Sequence, residues 1–175
     1  MIIDFHTHMF PDKIAGRTLD YLSGIFGASP FADGTYTGLC NSMGKGAVDI
    51  SIALPAVTKV SQVASINRFA SAYTEGPVIS FGGIHPECEN YKEILKEIKN
   101  LGLKGIKLHP DYQNFFVDEE RLLPIYETAG KLGLIVCFHS GIDIGFYDPV
   151  HCTPQRLSRV LDAFSSPVIA AHMGA

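Results

Sequence analysis

Six short stretches of the chain are almost continuously apolar: residues 1–5, 50–54, 78–84, 103–108, 134–138 and 168–171. Runs of this length without alternation predict strands buried on both faces, as in parallel sheets. Between the later runs the period changes. Tyr91, Ile94, Leu95, Ile98 and Leu101 recur at the spacing that gathers apolar side chains on one side of a helix, and so do Leu122, Ile125, Tyr126, Ala129 and Leu132. A third set, Leu157, Val160, Leu161 and Phe164, does the same. The repeating unit is strand, loop, helix over about 30 residues, which predicts parallel strands joined by right-handed crossovers.

The boundaries carry their own chemistry. Gly102 and Gly133 each stand between a predicted helix and the next strand, where a left-handed cap conformation is needed. Thr153-Pro154 supplies an N-cap followed by a first-turn proline. Residues 26–46 hold five glycines together with Phe31 and Tyr36 and are expected to be a long irregular segment, a lid or a mobile loop.

With 175 residues, 46% of them hydrophobic and 18% charged, the chain is expected to form a single domain, residues 1–175, around one sizeable core. Fourteen basic against eighteen acidic residues give a net charge of −4, and no basic run is present to track a phosphate backbone, so nucleic acid is not an expected partner. Residues 1–5 lack the basic flank and cleavage site of a secretory signal, and no apolar stretch reaches the roughly 18 residues a membrane span needs. The expectation is a soluble, cytoplasmic protein with no membrane partner. Cys40, Cys88, Cys137 and Cys152 form no C-x-x-C pair and read as reduced, mostly buried thiols.

Six of the seven histidines, His6, His8, His85, His109, His139 and His172, fall at the carboxyl ends of predicted strands; His151 lies elsewhere. Parallel α/β folds build their sites at those ends. His6 and His8 are two residues apart, so strand alternation turns both to one face, where two imidazoles can bind one metal ion. Lys107 and His109 share a face for the same reason. The stretch from Ser140 to Cys152, with Asp143, Tyr147, Asp148 and His151, follows the fifth strand directly and is placed to recognise substrate.

These residues carry a resemblance. Asp4-Phe5-His6-Thr7-His8, Gly83-Ile84-His85-Pro86, Gly105-Ile106-Lys107-Leu108-His109-Pro110, Pro124-Ile125-Tyr126-Glu127, His139-Ser140-Gly141 and Ala171-His172-Met173-Gly174 together resemble the amidohydrolase superfamily, in its amidohydrolase-related (amidohydrolase 2) branch, over the whole chain. The resemblance implies an α/β fold, a TIM-type (β/α) barrel represented by the first six of eight strand-helix units. It implies one or two divalent metals at the mouth, with His6 and His8 as first-strand ligands and His139 as the fifth-strand ligand. His172 is implied as an acid/base or carbonyl-polarising catalytic group, or as a ligand to a second metal. Lys107 is the other catalytic candidate, expected as a charged lysine paired with a buried carboxylate such as Asp4, or alternatively as a carboxylated metal bridge. His109 is read as a shaping and substrate-binding residue rather than a ligand, together with Asp143 and Tyr147, and His85 as a structural strand-end histidine.

The implied activity is a metal-dependent hydrolase of a small carbonyl substrate (amide, ester or lactone), using metal-activated water. Zinc suits three histidines and a carboxylate. Nonoxidative decarboxylation of a small unsaturated or aromatic acid is the alternative at the same metal, and a catalytically silent relative acting as a binding or structural partner is the third reading. A phosphodiesterase or nuclease reading is disfavoured by the low basic content. The family closes its site with an aspartate after an eighth strand, and this sequence ends three residues past His172. The expectation is therefore a homo-oligomer or a missing carboxyl-terminal segment covering open barrel edges, with weak or no hydrolysis by the chain alone unless Asp143 or Asp148 folds back over the mouth.

Overall fold

The computed structural model describes residues 1–146 and 149–174. Parallel strands alternate with helices throughout. The strands are β1 (Ile3–Thr7), β2 (Ile50–Ala53), β3 (Val78–Ser80), β4 (Gly82–Gly83), β5 (Gly105–Leu108), β6 (Ile135–Phe138) and β7 (Val168–Ala170). The helices are α1 (Asp12–Phe26), α2 (Tyr36–Gly46), α3 (Val63–Ala70), α4 (Tyr91–Asn100), α5 (Leu123–Lys131) and α6 (Pro154–Ser158). Each predicted strand is present, and the glycine caps are where they were expected, with Gly102 at φ 81° and Gly133 at φ 68°. Thr153 caps α6 by accepting the Arg156 N–H. Among the described residues no helix is long and apolar enough to cross a membrane.

Three expectations are corrected. The single strand expected at 78–84 is divided at Phe81, so that β1-β2-β3 and β4-β5-β6-β7 form two hydrogen-bonded ladders. Phe81 N–H still donates to Ala53 O at 2.9 Å, after which Gly82 and Gly83 pair with Ile106 and Lys107. The Asn67 side chain, buried in α3, donates to Gly83 O and accepts from Gly83 N–H, supplying the backbone partners the interrupted ladder leaves out. Space enforces the division. A Cβ on Gly83 would stand 2.5 Å from Val57 Cγ2, and one on Gly105 would stand 2.5 Å from both the Ile135 carbonyl and the Phe81 ring.

The second correction concerns β1, expected to be buried on both faces. It has only β2 as a ladder neighbour, and its apolar side chains Ile3 and Phe5 stay 50% and 37% exposed. An edge strand has no second flank to cover it.

Third, the segment expected to be irregular contains α2. Thr35 caps it by accepting the Gly38 N–H, while Asp33 Oδ1 braces the Thr35 hydroxyl and N–H. Tyr36, Leu39, Cys40 and Met43 then fall on one face, packed with Met9, Ala53 and Val78. The glycines Gly38 and Gly44 conceal that face in the sequence.

The main core lies between the second ladder and α3–α6, around Ile106, Leu108, Tyr126, Val136 and Phe138. A second cluster unites Ile52, Leu54, Phe81, Cys137 and Ala171. Side chains from β2 and from the β6 and β7 region meet there, so the ladders curl towards each other as staves of one barrel. All four cysteines are unbridged thiols.

Candidate metal centre

The curl brings the carboxyl ends of β1, β5, β6 and β7 to one place, and with them a continuous row of histidine rings. Along the row His8 meets His6 (5.0 Å between centroids), His6 meets His172 (4.6 Å), His172 meets His139 (4.7 Å) and His139 stacks on His109 (4.1 Å). His172 Nε2 lies 3.2 Å from His139 Nδ1. His6 and His8, expected to share a face, do so. Nδ1 of His8 lies 2.7 Å from the Leu54 carbonyl, and donation there fixes the tautomer that leaves Nε2 with a free lone pair.

Among the described residues, His109, His139 and Asp143 form a donor set of three buried residues whose ligand atoms lie within 4.8 Å of one another. Asp143 Oδ2 stands 3.5 Å from His109 Nε2 and 3.6 Å from His139 Nε2. Among the described residues His139 Nε2 has no hydrogen-bond partner although it is buried. A buried polar atom without a partner is costly, and two imidazoles with one carboxylate are the donor types that hold zinc or manganese. The residues therefore fit a divalent ion. The loop after β6 has folded back over the mouth, and it carries Asp143 there. Asp143 is itself fixed by the Gly145 N–H, which donates to its Oδ1 at 2.8 Å. Tyr147 and Asp148 lie outside the described residues.

The electrostatics keep the ring nitrogens available. Burial lowers the pKa of His139 to about 3, aided by the neighbouring His109, Lys107 and His172, and burial followed by Lys107 does the same for His6, also to about 3. Both are neutral at physiological pH, with lone pairs free. For Asp143, burial alone would raise the pKa, but the hydrogen bonds from His109 and Gly145 outweigh it and hold the carboxyl below its ordinary range. It stays an anion facing the neutral His139 imidazole.

Lys107 corrects an expectation. It is 1% exposed but does not pair with Asp4, which sits on the exposed edge strand β1; its hydrogen-bonding neighbour is Cys137 Sγ at 3.9 Å. Burial lowers its pKa, with only partial relief from the thiols of Cys137 and Cys152. An ammonium kept in such surroundings opposes folding. Lys107→Met is accordingly expected to stabilise the chain by about 1–3 kcal/mol, seen as a higher urea midpoint at unchanged slope. A lower midpoint would show that Lys107 has a compensating partner.

His85 stands apart from the row, its Nδ1 accepting the Glu87 N–H at 3.2 Å. Three nearby residues escaped the sequence reading. Tyr112 stacks on His109 at 3.8 Å and 9°, and burial, followed by the Asp143 charge, pushes its phenol up to about 12. Gln113 accepts the His109 N–H and donates to the carbonyls of Val57 and Ile84, fixing the β5 loop from three sides. Asp111 pairs with His151 at 2.7 Å. The one legible signal was position: all three follow a strand-end histidine by two to four residues.

Several solved structures resemble this one. An uncharacterised TIM-barrel protein from Bordetella bronchiseptica superposes with a TM-score of 0.69 at 20% identity, over 97% of this chain and 66% of its own. An IDCase from Metarhizium anisopliae gives 0.60 at 18% identity, over 79% of this chain and 50% of its own. A 5-carboxyvanillate decarboxylase from Novosphingobium aromaticivorans, complexed with manganese, gives 0.64 at 16%, over 83% and 51%. The chain thus spans between half and two thirds of their lengths, and at these identities the likeness establishes the barrel fold. No curated protein matches the chain by sequence. The family model Amidohydro_2, described as Amidohydrolase, matches residues 3–175, and with nearly the whole chain matched the protein belongs to the amidohydrolase family.

Proposed function

We propose that the chain carries the metal-binding and proton-transfer residues of a metal-dependent hydrolase acting on a small amide, ester or lactone. The observation that supports this is the buried His109, His139 and Asp143 set, in which His139 Nε2 has no hydrogen-bond partner among the described residues. These three residues would hold a divalent ion, zinc by donor type, and His6 and His8 stand on the other side of His172 as the further ligands expected from the sequence. Such an ion supplies Lewis acidity, polarising a carbonyl and acidifying water at neutral pH. Asp143, anionic and aimed at the imidazoles, is the group able to accept a proton from the attacking water. His172, in ring contact with both His6 and His139, is placed to donate a hydrogen bond to the oxygen on which negative charge develops. Lys107, beneath the row, adds positive potential to the same region.

A second reading, nonoxidative decarboxylation of a small aromatic or unsaturated acid, is favoured by the relatives: similar solved structures include a 5-carboxyvanillate decarboxylase with manganese and a 2,6-dihydroxybenzoate decarboxylase. In that chemistry Asp143 would take the proton of the substrate's own acid or phenol group and deliver it to the carbon that loses CO₂, rather than take one from water. The two readings separate in one experiment. The chain is stripped with chelator, reloaded with zinc or manganese, and presented with lactones and esters on one side and hydroxybenzoates on the other. Metal-restored hydrolysis is the expected result. Metal-restored release of CO₂ would establish the second reading, and turnover indifferent to chelation would overturn both.

A further inference from the structure

His151 is the one histidine away from the strand ends, and it is not idle. Its Nδ1 lies 2.7 Å from Asp111 Oδ1, and both side chains are largely buried, Asp111 at 2% and His151 at 12% exposure. The two residues come from different loops, 40 positions apart in sequence. Asp111 belongs to the β5 loop that Gln113 anchors, whereas His151 ends the β6 loop that carries Asp143. The neck of that second loop is closed by Gly141 N–H donating to Cys152 O at 2.9 Å, and His151 O accepts Val117 N–H at 3.2 Å. Phe116 lies against the His151 ring at 4.6 Å, and the Arg156 guanidinium covers the Phe116 ring at 4.2 Å.

Within residues 141–146 the hydrogen bonds among the described residues stay inside the loop, and Gly145 approaches Ile25 and Phe26 of α1. Asp143 bonds to its own loop through Gly145 and Phe146, and beyond that it meets the imidazoles. Tyr112 touches Phe146 at 5.4 Å. The position of the Asp143 carboxylate therefore depends on how the base of its loop is seated on the β5 loop, and a buried side-chain hydrogen bond in that seat is Asp111 with His151.

We infer that Asp111 and His151 form a latch that seats the Asp143 loop on the β5 loop, so that this pair, outside the metal-binding cluster, sets how tightly the cluster holds a divalent ion. The inference rests on the proposed role of His109, His139 and Asp143, and it makes Asp111 and His151 positioning residues. Partners that orient ligands typically change metal affinity about 10–100-fold when removed.

The test uses Co²⁺ as probe on the metal-free chain, with affinity read by titration and ligand geometry by the visible d–d band. Asp111→Ala is expected to weaken Co²⁺ binding at least about tenfold and to alter the band, while Asp111→Asn, which keeps an acceptor for the His151 N–H, stays within about threefold of the parent. His151→Ala supplies the same arm from the more accessible side should Asp111→Ala not fold. Asp143→Asn alone tests the underlying reading: if it leaves Co²⁺ affinity unchanged, Asp143 is no ligand and the proposed cluster fails. If Asp143→Asn weakens binding but neither latch variant does, the cluster stands and the latch is overturned. In the double variant Asp111→Ala/Asp143→Asn the losses are expected not to add, because the latch acts through Asp143; full additivity would also overturn it.

Discussion

Alanine at position 139 is expected to cost the chain at least about 100-fold in affinity for a divalent ion. Four-ligand zinc sites in small peptides bind with about 10–16 kcal/mol, so one ligand is worth roughly 3 kcal/mol, or about two decades. His139 has a wide reach in the row: its ring stacks on His109, meets His172 edge-on, and directs at Asp143 a buried Nε2 that has no hydrogen-bond partner among the described residues. It therefore belongs both to the tight set seen in the structure and to the ligand set expected from the sequence. Calorimetric titration of the metal-free chain with Zn²⁺ measures the effect. His85→Ala is the control, since His85 also ends a strand but bonds to Glu87 away from the row; it is expected to leave affinity unchanged. Parent-like binding by His139→Ala would remove the metal centre from this place in the fold.

The second large effect is expected at His172, whose removal should lower kcat at least about 100-fold, the usual scale for an acid or base acting on the reacting group, with a smaller change in metal affinity. The choice of substitution matters here. His172 has φ 57° and Met173 has φ 59°, left-handed values that L-residues adopt at a cost of about 1–2 kcal/mol. Such strain at a strand end is retained where it aims a side chain. Glycine accepts this backbone freely, so His172→Gly is expected to be more stable than His172→Ala by about 1 kcal/mol, with the same loss of kcat. Comparing the two variants separates lost chemistry from lost folding. Near-parent turnover in both would transfer the role to His109, which lies beyond His139 at the end of the row.

The stabilising Lys107→Met exchange completes this picture from the opposite side. If the exchange stabilises the chain, the buried ammonium beneath the row of imidazoles costs folding energy and serves the site instead. Loss of turnover together with higher stability in that variant is the combination expected.

Much of this was legible along the chain because strands and helices are local periodicities. The apolar runs at 50–54, 103–108 and 134–138 gave β2, β5 and β6 within a residue or two, Gly102 and Gly133 marked the starts of β5 and β6, and Thr153 marked the start of α6, since caps are decided by a residue's own conformational preferences. The placement of His6, His8, His109, His139 and His172 at strand ends followed from the same periodicity, as did the shared face of His6 and His8.

What the sequence did not determine involves contacts between distant segments. The division of the predicted third strand at Phe81 depends on Asn67 and on the room left by Gly83 and Gly105. The exposure of β1 depends on having one neighbour rather than two, and the order of α2 on a face interrupted by glycines and completed by Met9 and Val78. Lys107 has Cys137 rather than Asp4 beside it because Cys137 stands opposite it in the β5–β6 ladder. Asp143 is the sharpest case. In sequence it is one acid in a loop, four residues past His139; only the folding of that loop across the mouth, seated through Asp111 and His151, brings its carboxylate to two imidazoles. Periodicity fixes which way a side chain points along its own strand. Where a loop comes to rest is decided by the surfaces it meets, and those are assembled only in the folded chain.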